Sequence, residues 1–332
     1  MCTLVNKIMD KFGVIVIGRN EGLRLLTCLN SVISQATLVV YVDSGSSDDS
    51  ILYAQKLGVE VVALDLAIPF TAARARNEGA SRLRELSPDI TYIQFVDGDC
   101  EVLDGWLEKA IVFMNAHTDV AVVSGRCRER YPNKSIYNLM CDIEWDTPIG
   151  QTKSSGGNAM MRATFFFAVG GFRPSLIAGE EPELCVRLRA AGWKIWRIDA
   201  EMVLHDAAMT RFRQWWKRAV RGGHAYAEGA SLHGDSVEKH CVKETRRIWV
   251  WGLGIPILVL FAIGGFGSVG LLLILIYPIQ ITRLALRCTE KNPANWWSAY
   301  FLVLSKFPEL IGQIKFHLSR MVGKKSRLIE YK

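Results

Sequence analysis

The chain has no C-x-x-C pair among its eight cysteines. Cys2, Cys28, Cys100, Cys127, Cys141, Cys185, Cys241 and Cys288 are scattered, most of them inside apolar or helical patterns where a free thiol behaves as a small hydrophobe. This usage excludes a disulfide framework and points to a reducing compartment. The opening stretch MCTLVNKIMDKFGVIVIG has no continuous apolar core and no small-residue cleavage site. Asp10 and Lys11 interrupt it, so no signal peptide is expected and the first domain is expected in the cytoplasm. No G-x-G-x-x-G follows the first β-branched run, which argues against a Rossmann dehydrogenase. The same region lacks the glycine-rich, lysine- or arginine-bearing loop that a nucleotidyltransferase would want. The net charge is +7, yet there is no finger, helix-turn-helix or aromatic-basic platform, so nucleic acid is not an expected partner. Internal repeats and low-complexity tracts are also missing.

Charge itself is missing over a long stretch. Ile248 to Thr282, 35 residues, carries no Asp, Glu, Lys or Arg. One membrane span needs about 20 apolar residues. The run is therefore too long for one helix and slightly short for two. GGFGS at 264–268 supplies a mid-way turn, so a short helical hairpin over 248–287 is expected, with a single bent span as the alternative. Arg246 and Arg247 flank one end, Arg283 and Arg287 the other, which places both ends on the cytoplasmic side. Trp249, Trp251 and Tyr277 suit the interface. Residues 288–332 are expected to form an interfacial basic segment, with Trp296 and Trp297 near its start and Lys315, Arg320, Lys324, Lys325 and Arg327 facing an anionic membrane.

What is there, before that stretch, is a regular alternation. GVIVIG at 13–18 is a β-branched run bounded by glycines. A helical spacing over 21–34 follows, then a strand at 38–42, a helix at 50–57, a strand at 59–64, a helix at 71–86 and a strand at 92–96. Further helices are expected at 104–117, 165–168, 183–191 and 211–221, and strands at 121–125 and 194–198. Such alternation predicts an α/β fold, a mostly parallel sheet flanked by helices. Ligands of these sheets bind at the carboxyl ends of the strands. DSGSSDDS and FVDGDC both begin at such ends, so the two acidic turns are expected to face one crevice. Two carboxylates one residue apart, aimed from a buried strand, repel each other unless something neutralises them. A plain solvated turn is one explanation; a divalent cation is the other.

The order of these motifs resembles that of the family-two glycosyltransferases with a GT-A fold. VIVIGRNEGLRL, VVYVDSGSSDDS, ARARNEGASRL, YIQFVDGDC, GGNAMMRATFFFAVGGF and GEEPELCVRLRAAGW occur in the family's order. The resemblance covers residues 12–221, leaving 222–247 as an expected linker to the membrane hairpin. It implies a nucleotide diphosphate sugar donor, UDP- or GDP-linked, and a divalent cation, Mg²⁺ or Mn²⁺, that neutralises the departing diphosphate. Asp99 is then the metal ligand, with Asp97 near the ribose or the metal. His205 completes the metal site or is a hydrogen-bonded histidine. Asp43 binds the nucleobase. Arg19, Asn20 and Glu21 line the base and ribose pocket, although Ile17 stands where relatives often have proline. Arg76 and Asn77 match A-R-N-x-G, with Arg76 forking onto phosphate or an acidic partner. Gly157 and Asn158 let the backbone approach the sugar.

The acceptor hydroxyl needs a base. Glu181 occupies the family's catalytic carboxylate position and Glu180 is its competitor. A neighbouring carboxylate would raise one pKa toward neutrality, and a single base opposite the leaving group implies inversion. RFRQWWKRAVRGG shares its glutamine and an arginine with a motif of processive synthases. Gln214, Trp215 and Arg218 are thus candidates for acceptor or pyrophosphate binding, or part of a membrane-surface helix. The expectation is a single-addition transferase acting on a saccharide or lipid-linked acceptor at a membrane. The alternative is a non-catalytic membrane-tethered scaffold, whose mark would be lost carboxylates; Asp43, Asp97, Asp99 and Glu181 are all present.

Overall fold

The computed structural model describes residues 12–36, 38–287, 292–323 and 329. Cys2, Cys288, Lys324, Lys325 and Arg327 lie outside the described residues. The chain divides into two compact units. The first runs to Pro132 and resumes over Cys141–Ala208; the second comprises Asn133–Met140 and the chain from Met209.

The first unit is built on nine strands: β1 (Phe12–Gly18), β2 (Val39–Asp43), β3 (Glu60–Ala63), β4 (Tyr92–Asp97), β5 (Cys100–Val102), β6 (Val120–Glu129), β7 (Gly150–Thr152), β8 (Ala159–Arg162) and β9 (Lys194–His205). They form one sheet in the order β3-β2-β1-β4-β8-β6-β9-β5, with β7 on β9. The expected parallel pairing holds for β3-β2-β1-β4 and for β6 with β9, whereas β8, β5 and β7 run antiparallel, so the sheet is mixed. The helices in chain order begin with α1 (Leu23–Ile33), α2 (Ser50–Lys56), α3 (Ala72–Leu86), α4 (Trp106–Ala116), α5 (Ile136–Trp145), α6 (Ala163–Ala168) and α7 (Glu180–Ala190).

Alternation along each central strand explains why both faces are apolar. Val14 and Val16 join Leu25, Leu29 and Trp106 in one core, while Ile15 and Ile17 join Leu83, Phe95 and Phe166 in the other. Successive side chains of a strand point to opposite faces, and a parallel sheet must bury both. The register then fixes where the acidic turns fall. Gly18 is level with Asp43 and Ile17 with Asp97, so β2 and β4 end together beside the end of β1. The antiparallel β5–β9 pair sets Cys100 opposite His205. That pairing brings the distant histidine to the Asp97–Asp99 turn.

The second unit is helical. α8 (Phe212–His233) continues past the expected end at 221, and most of the expected linker, residues 222–247, is helical through α8 and α9 (Val242–Trp249). The cause is a buried seam of Trp215, Val220, Gly223, His224 and Ala227, which recurs at helical spacing. Along this seam α8 lies against α13 (Lys306–Met321); a Cβ on Gly223 would sit 2.0 Å from the Glu309 carbonyl oxygen, so only glycine fits.

One helical stretch, Val242–Arg287, is long and apolar enough to cross a membrane. It is not straight. Its parts α10 (Ile255–Phe266) and α11 (Ile276–Arg287) are separated by Gly267, whose φ is +64°, and a 3₁₀ segment. The Tyr277 hydroxyl donates to the Trp251 carbonyl at 2.8 Å and their rings lie 6.0 Å apart, so the stretch doubles back on itself. Leu260, Phe261, Phe266, Val269 and Leu272 are exposed along it. α12 (Pro293–Leu304) adds the exposed Trp296 and Trp297.

Candidate active site

Arg76 is the centre of the site. It sits in the second turn of α3, whose start is fixed by the Thr71 hydroxyl accepting from the Arg74 amide at 3.1 Å. Its side chain is buried under the carboxyl ends of β1 and β4. Nη1 donates to Glu180 at 3.0 Å and to Glu181 at 2.9 Å; Nη2 donates to Asp97 at 2.8 Å. The fork thus takes an acidic set rather than phosphate. Burial pulls the guanidinium pKa down, but Glu181, Asp97 and Glu180 outweigh it and hold the group above its ordinary value.

Glu180 and Glu181 open α7, where a helix N-terminus favours carboxylates. One guanidinium faces three carboxylates, so negative charge is in excess. Burial and then the Glu180 charge push the Glu181 carboxyl up to about 7, against the pull of Arg76. Glu180 is deeper, at 4% side-chain exposure against 15% for Glu181, so Glu181 is the more accessible base. Gly157 closes over this group. A Cβ there would lie 2.3 Å from Arg76 Nη2 and 2.9 Å from Asp97 Oδ2, so any side chain would break the cluster. Glu183 is held by Arg187 at 2.7 Å, the helix electrostatics its spacing implies.

The second cluster lies one residue on. Asp99 is buried and its Oδ2 is 3.2 Å from His205 Nε2. The His205 ring stacks on Trp145, centroids 4.5 Å apart and planes 4° from parallel. Asp99, Cys100 and His205 each offer a donor atom within 4.8 Å of the others, a set of mixed O, S and N donors that fits a divalent cation. Asp97, also expected among the metal ligands, lies outside this set and pairs with Arg76 through Oδ1. Asn158 bridges the two clusters: its Oδ1 accepts from the Asp97 amide at 3.0 Å and its Nδ2 donates to Cys100 Sγ at 3.4 Å.

Several other expected site residues have different work. The Asp43 carboxylate accepts from the Tyr41 hydroxyl, the Gly45 and Ser46 amides and the Ser46 hydroxyl, which fills both oxygens with its own turn. It shapes that turn at the carboxyl end of β2. Burial first and Asp43 second push the Tyr41 phenol up. Asn20 stands at φ +57°, with its Oδ1 accepting from the Ser47 amide at 2.7 Å. Arg19 lies over the Phe70 ring at 4.6 Å and Glu21 pairs with Arg24 at 2.7 Å, so this strand end joins the Asp43 turn. Asn77 exchanges two hydrogen bonds with the Phe172 backbone and pins the 170–172 loop.

Gln214, Trp215 and Arg218 belong to the second unit. The Gln214 side chain caps α8 by accepting from the Thr210 and Arg211 amides. Trp215 packs on Phe212 and Phe301. Both are tied up in folding that unit, and Arg218 lies one turn further along α8. Sequence reasoning missed Trp145 and Cys100. Cys100 was legible only as the residue beside the acidic pair; nothing marked Trp145.

Residues 13–172 match the family model described as Glycosyl transferase family 2. The chain is 27% identical over 196 residues to glycosyltransferase AglE of Haloferax volcanii, covering 55% of this chain and 62% of that one. It is 26% identical over 232 residues to the pre-mycofactocin glycosyltransferase of Mycobacterium tuberculosis, covering 66% of this chain and 46% of that one. The chain thus spans about half to three-fifths of the length of these relatives. Among solved structures, a mannosyltransferase from Pyrobaculum calidifontis, in complex with GDP-Man and Mn²⁺, superposes with a TM-score of 0.60 at 18% identity, covering 92% of this chain and 87% of that one.

Proposed function

We propose that this chain, whose residues 13–172 match the glycosyl transferase family 2 model, is a transferase of that family and moves one sugar, with inversion, from a nucleoside diphosphate sugar to a hydroxyl of a saccharide or lipid-linked acceptor. The observation that carries this reading is the Arg76 cluster. It gathers carboxylates from α7 and β4 at the edge where the acidic turns meet, and leaves one of them, Glu181, poised near neutrality.

Glu181 accepts the proton of the acceptor hydroxyl through its carboxylate oxygen. The freed acceptor oxygen forms a bond to the anomeric carbon while the bond to the diphosphate oxygen breaks, so configuration inverts. Arg76 fixes the carboxylate's position through Nη1 and holds Asp97 through Nη2. Gly157, lacking a side chain, lets its backbone pack directly on this cluster. Asp99 and His205 would hold the divalent cation, Mn²⁺ suiting the imidazole better than Mg²⁺, and the cation supplies charge neutralisation to the departing diphosphate. The GDP-Man and Mn²⁺ of the structural relative are in keeping with such a donor and metal. The folded-back apolar stretch of the second unit anchors the chain at a membrane, with the transferase domain on the cytoplasmic side, where a lipid-linked acceptor is presented.

Transfer from UDP- and GDP-linked sugars into membrane lipid, measured for wild type and Glu181→Gln, tests the assignment. The variant is expected to lose about 10²- to 10⁴-fold in turnover, the range for a lost general base. Wild-type turnover by Glu181→Gln would reject Glu181 as the base.

A further inference from the structure

The acidic turn Asp97-Gly98-Asp99 runs directly into a thiol that sugar transfer leaves without a role. Cys100 is buried at 1% exposure at the margin of an apolar core, yet its sulfur also meets polar groups. Its Sγ lies 3.7 Å from Asp99 Oδ1 and accepts from Asn158 Nδ2 at 3.4 Å. The register of β5 on β9 puts it directly opposite His205, whose Nε2 is 3.2 Å from the other oxygen of Asp99. Trp145 holds the flat of that imidazole, so the ring cannot swing away without losing a stacked contact. The three donor atoms lie within 4.8 Å of one another, close enough to ligate one ion. A small hydrophobe in a core would have none of these partners.

We infer that Cys100 is a further protein ligand of this cation site, and that the site takes a thiophilic divalent cation, Zn²⁺, Co²⁺ or Cd²⁺, in preference to Mg²⁺. The inference rests on the reading of Asp99 and His205 as cation ligands. Oxygen and imidazole donors alone serve Mg²⁺ and Mn²⁺; a sulfur donor shifts the balance to the borderline and soft ions. On binding, the Cys100 S–H bond breaks, its proton leaves to solvent and the sulfur lone pair is donated to the metal, with no change of oxidation state. The Asn158 amide, already donating to the sulfur, stabilises the thiolate that results. A chain whose resident ion is Zn²⁺ and one whose resident ion is Mn²⁺ differ in lability and affinity, so Cys100 sets how readily this protein responds to trace thiophilic metal.

The test is titration of the full-length chain with Co²⁺, followed by near-ultraviolet absorption and by displacement of bound Mn²⁺ in electron paramagnetic resonance. A sulfur-to-cobalt charge-transfer band in wild type is expected. It should disappear in Cys100→Ser and persist in Cys127→Ser and Cys28→Ser. Loss of a ligand should weaken Zn²⁺ at least as much as loss of an outer partner does, about tenfold or more, with Mn²⁺ affected less. A band that survives Cys100→Ser overturns the inference. Co²⁺ that displaces Mn²⁺ without any band in wild type also overturns it, while leaving the cation site itself standing. Failure of wild type to bind either ion overturns both.

Discussion

Arg76 reconciles groups that would otherwise be incompatible. Three carboxylates buried together repel, and a single guanidinium with five donors can satisfy them only in a fork. The residual negative charge is what raises Glu181 to about 7. Because the ionised form is the base, activity should rise with pH through about 7, and Glu181→Gln should remove that limb; a pH–rate profile checks this. The stability sign is opposite. The folded chain keeps the Glu181 proton to higher pH than the unfolded chain, whose carboxyl titrates at the ordinary 4.5, so this group's contribution falls as pH rises from 4.5 to about 7. Asp43 makes a different case. Four donors converge on it, among them the buried Tyr41 hydroxyl. Asp43→Ala should cost about 1–3 kcal/mol in denaturant unfolding, the penalty for stranded buried donors, even in the absence of any nucleotide. An unchanged unfolding midpoint would return Asp43 to a purely ligand-facing role.

Elements differ in how plainly the sequence announces them. The strands β1, β2 and β4 were legible because both faces of a central strand must be apolar, and few other structures bury Val14 to Ile17 on alternate sides. The position of the acidic turn was legible in the same way: Asp97 ends the apolar strand β4, and the turn to Asp99 follows it. The bonds of Asn77 to Phe172 and of Gln214 to Thr210 were not legible, because a backbone partner leaves no mark in side-chain chemistry. Cys100 was hidden because its partners come from β9, and strand pairing across the sheet has no local signal. The apolar stretch was legible from the absence of charge over 248–282. Val242–Arg287 is long and apolar enough to cross a membrane, and Leu260, Phe261, Phe266 and Leu272 are exposed along it. Asp at Phe261 or Leu272 should each oppose insertion by about 2.5–3.5 kcal/mol, and the double variant should move from the membrane pellet to the soluble fraction on cell fractionation. Retention in the pellet would show that other surfaces carry the attachment.

At the scale of the whole molecule, a unit that matches the family 2 glycosyltransferase model and an apolar helical unit occupy one chain. The chain spans only part of the length of its curated relatives. The Arg76 cluster and the Asp99 turn both lie in the first unit, where the proposed transfer is placed. Its chemistry needs two things at one sheet edge: a carboxylate that holds a proton near neutrality and a second carboxylate that can share a cation. The register of β4 on β1 and of β5 on β9 delivers both. The most direct measurement is calorimetric binding of UDP- and GDP-linked sugars to the full-length chain, with and without Mn²⁺, for wild type and Asp99→Ala. The account predicts metal-dependent binding of one nucleotide class by wild type and its loss in Asp99→Ala. Well-folded wild type that binds neither class, with or without metal, would contradict the transferase reading and leave a membrane-tethered scaffold in its place.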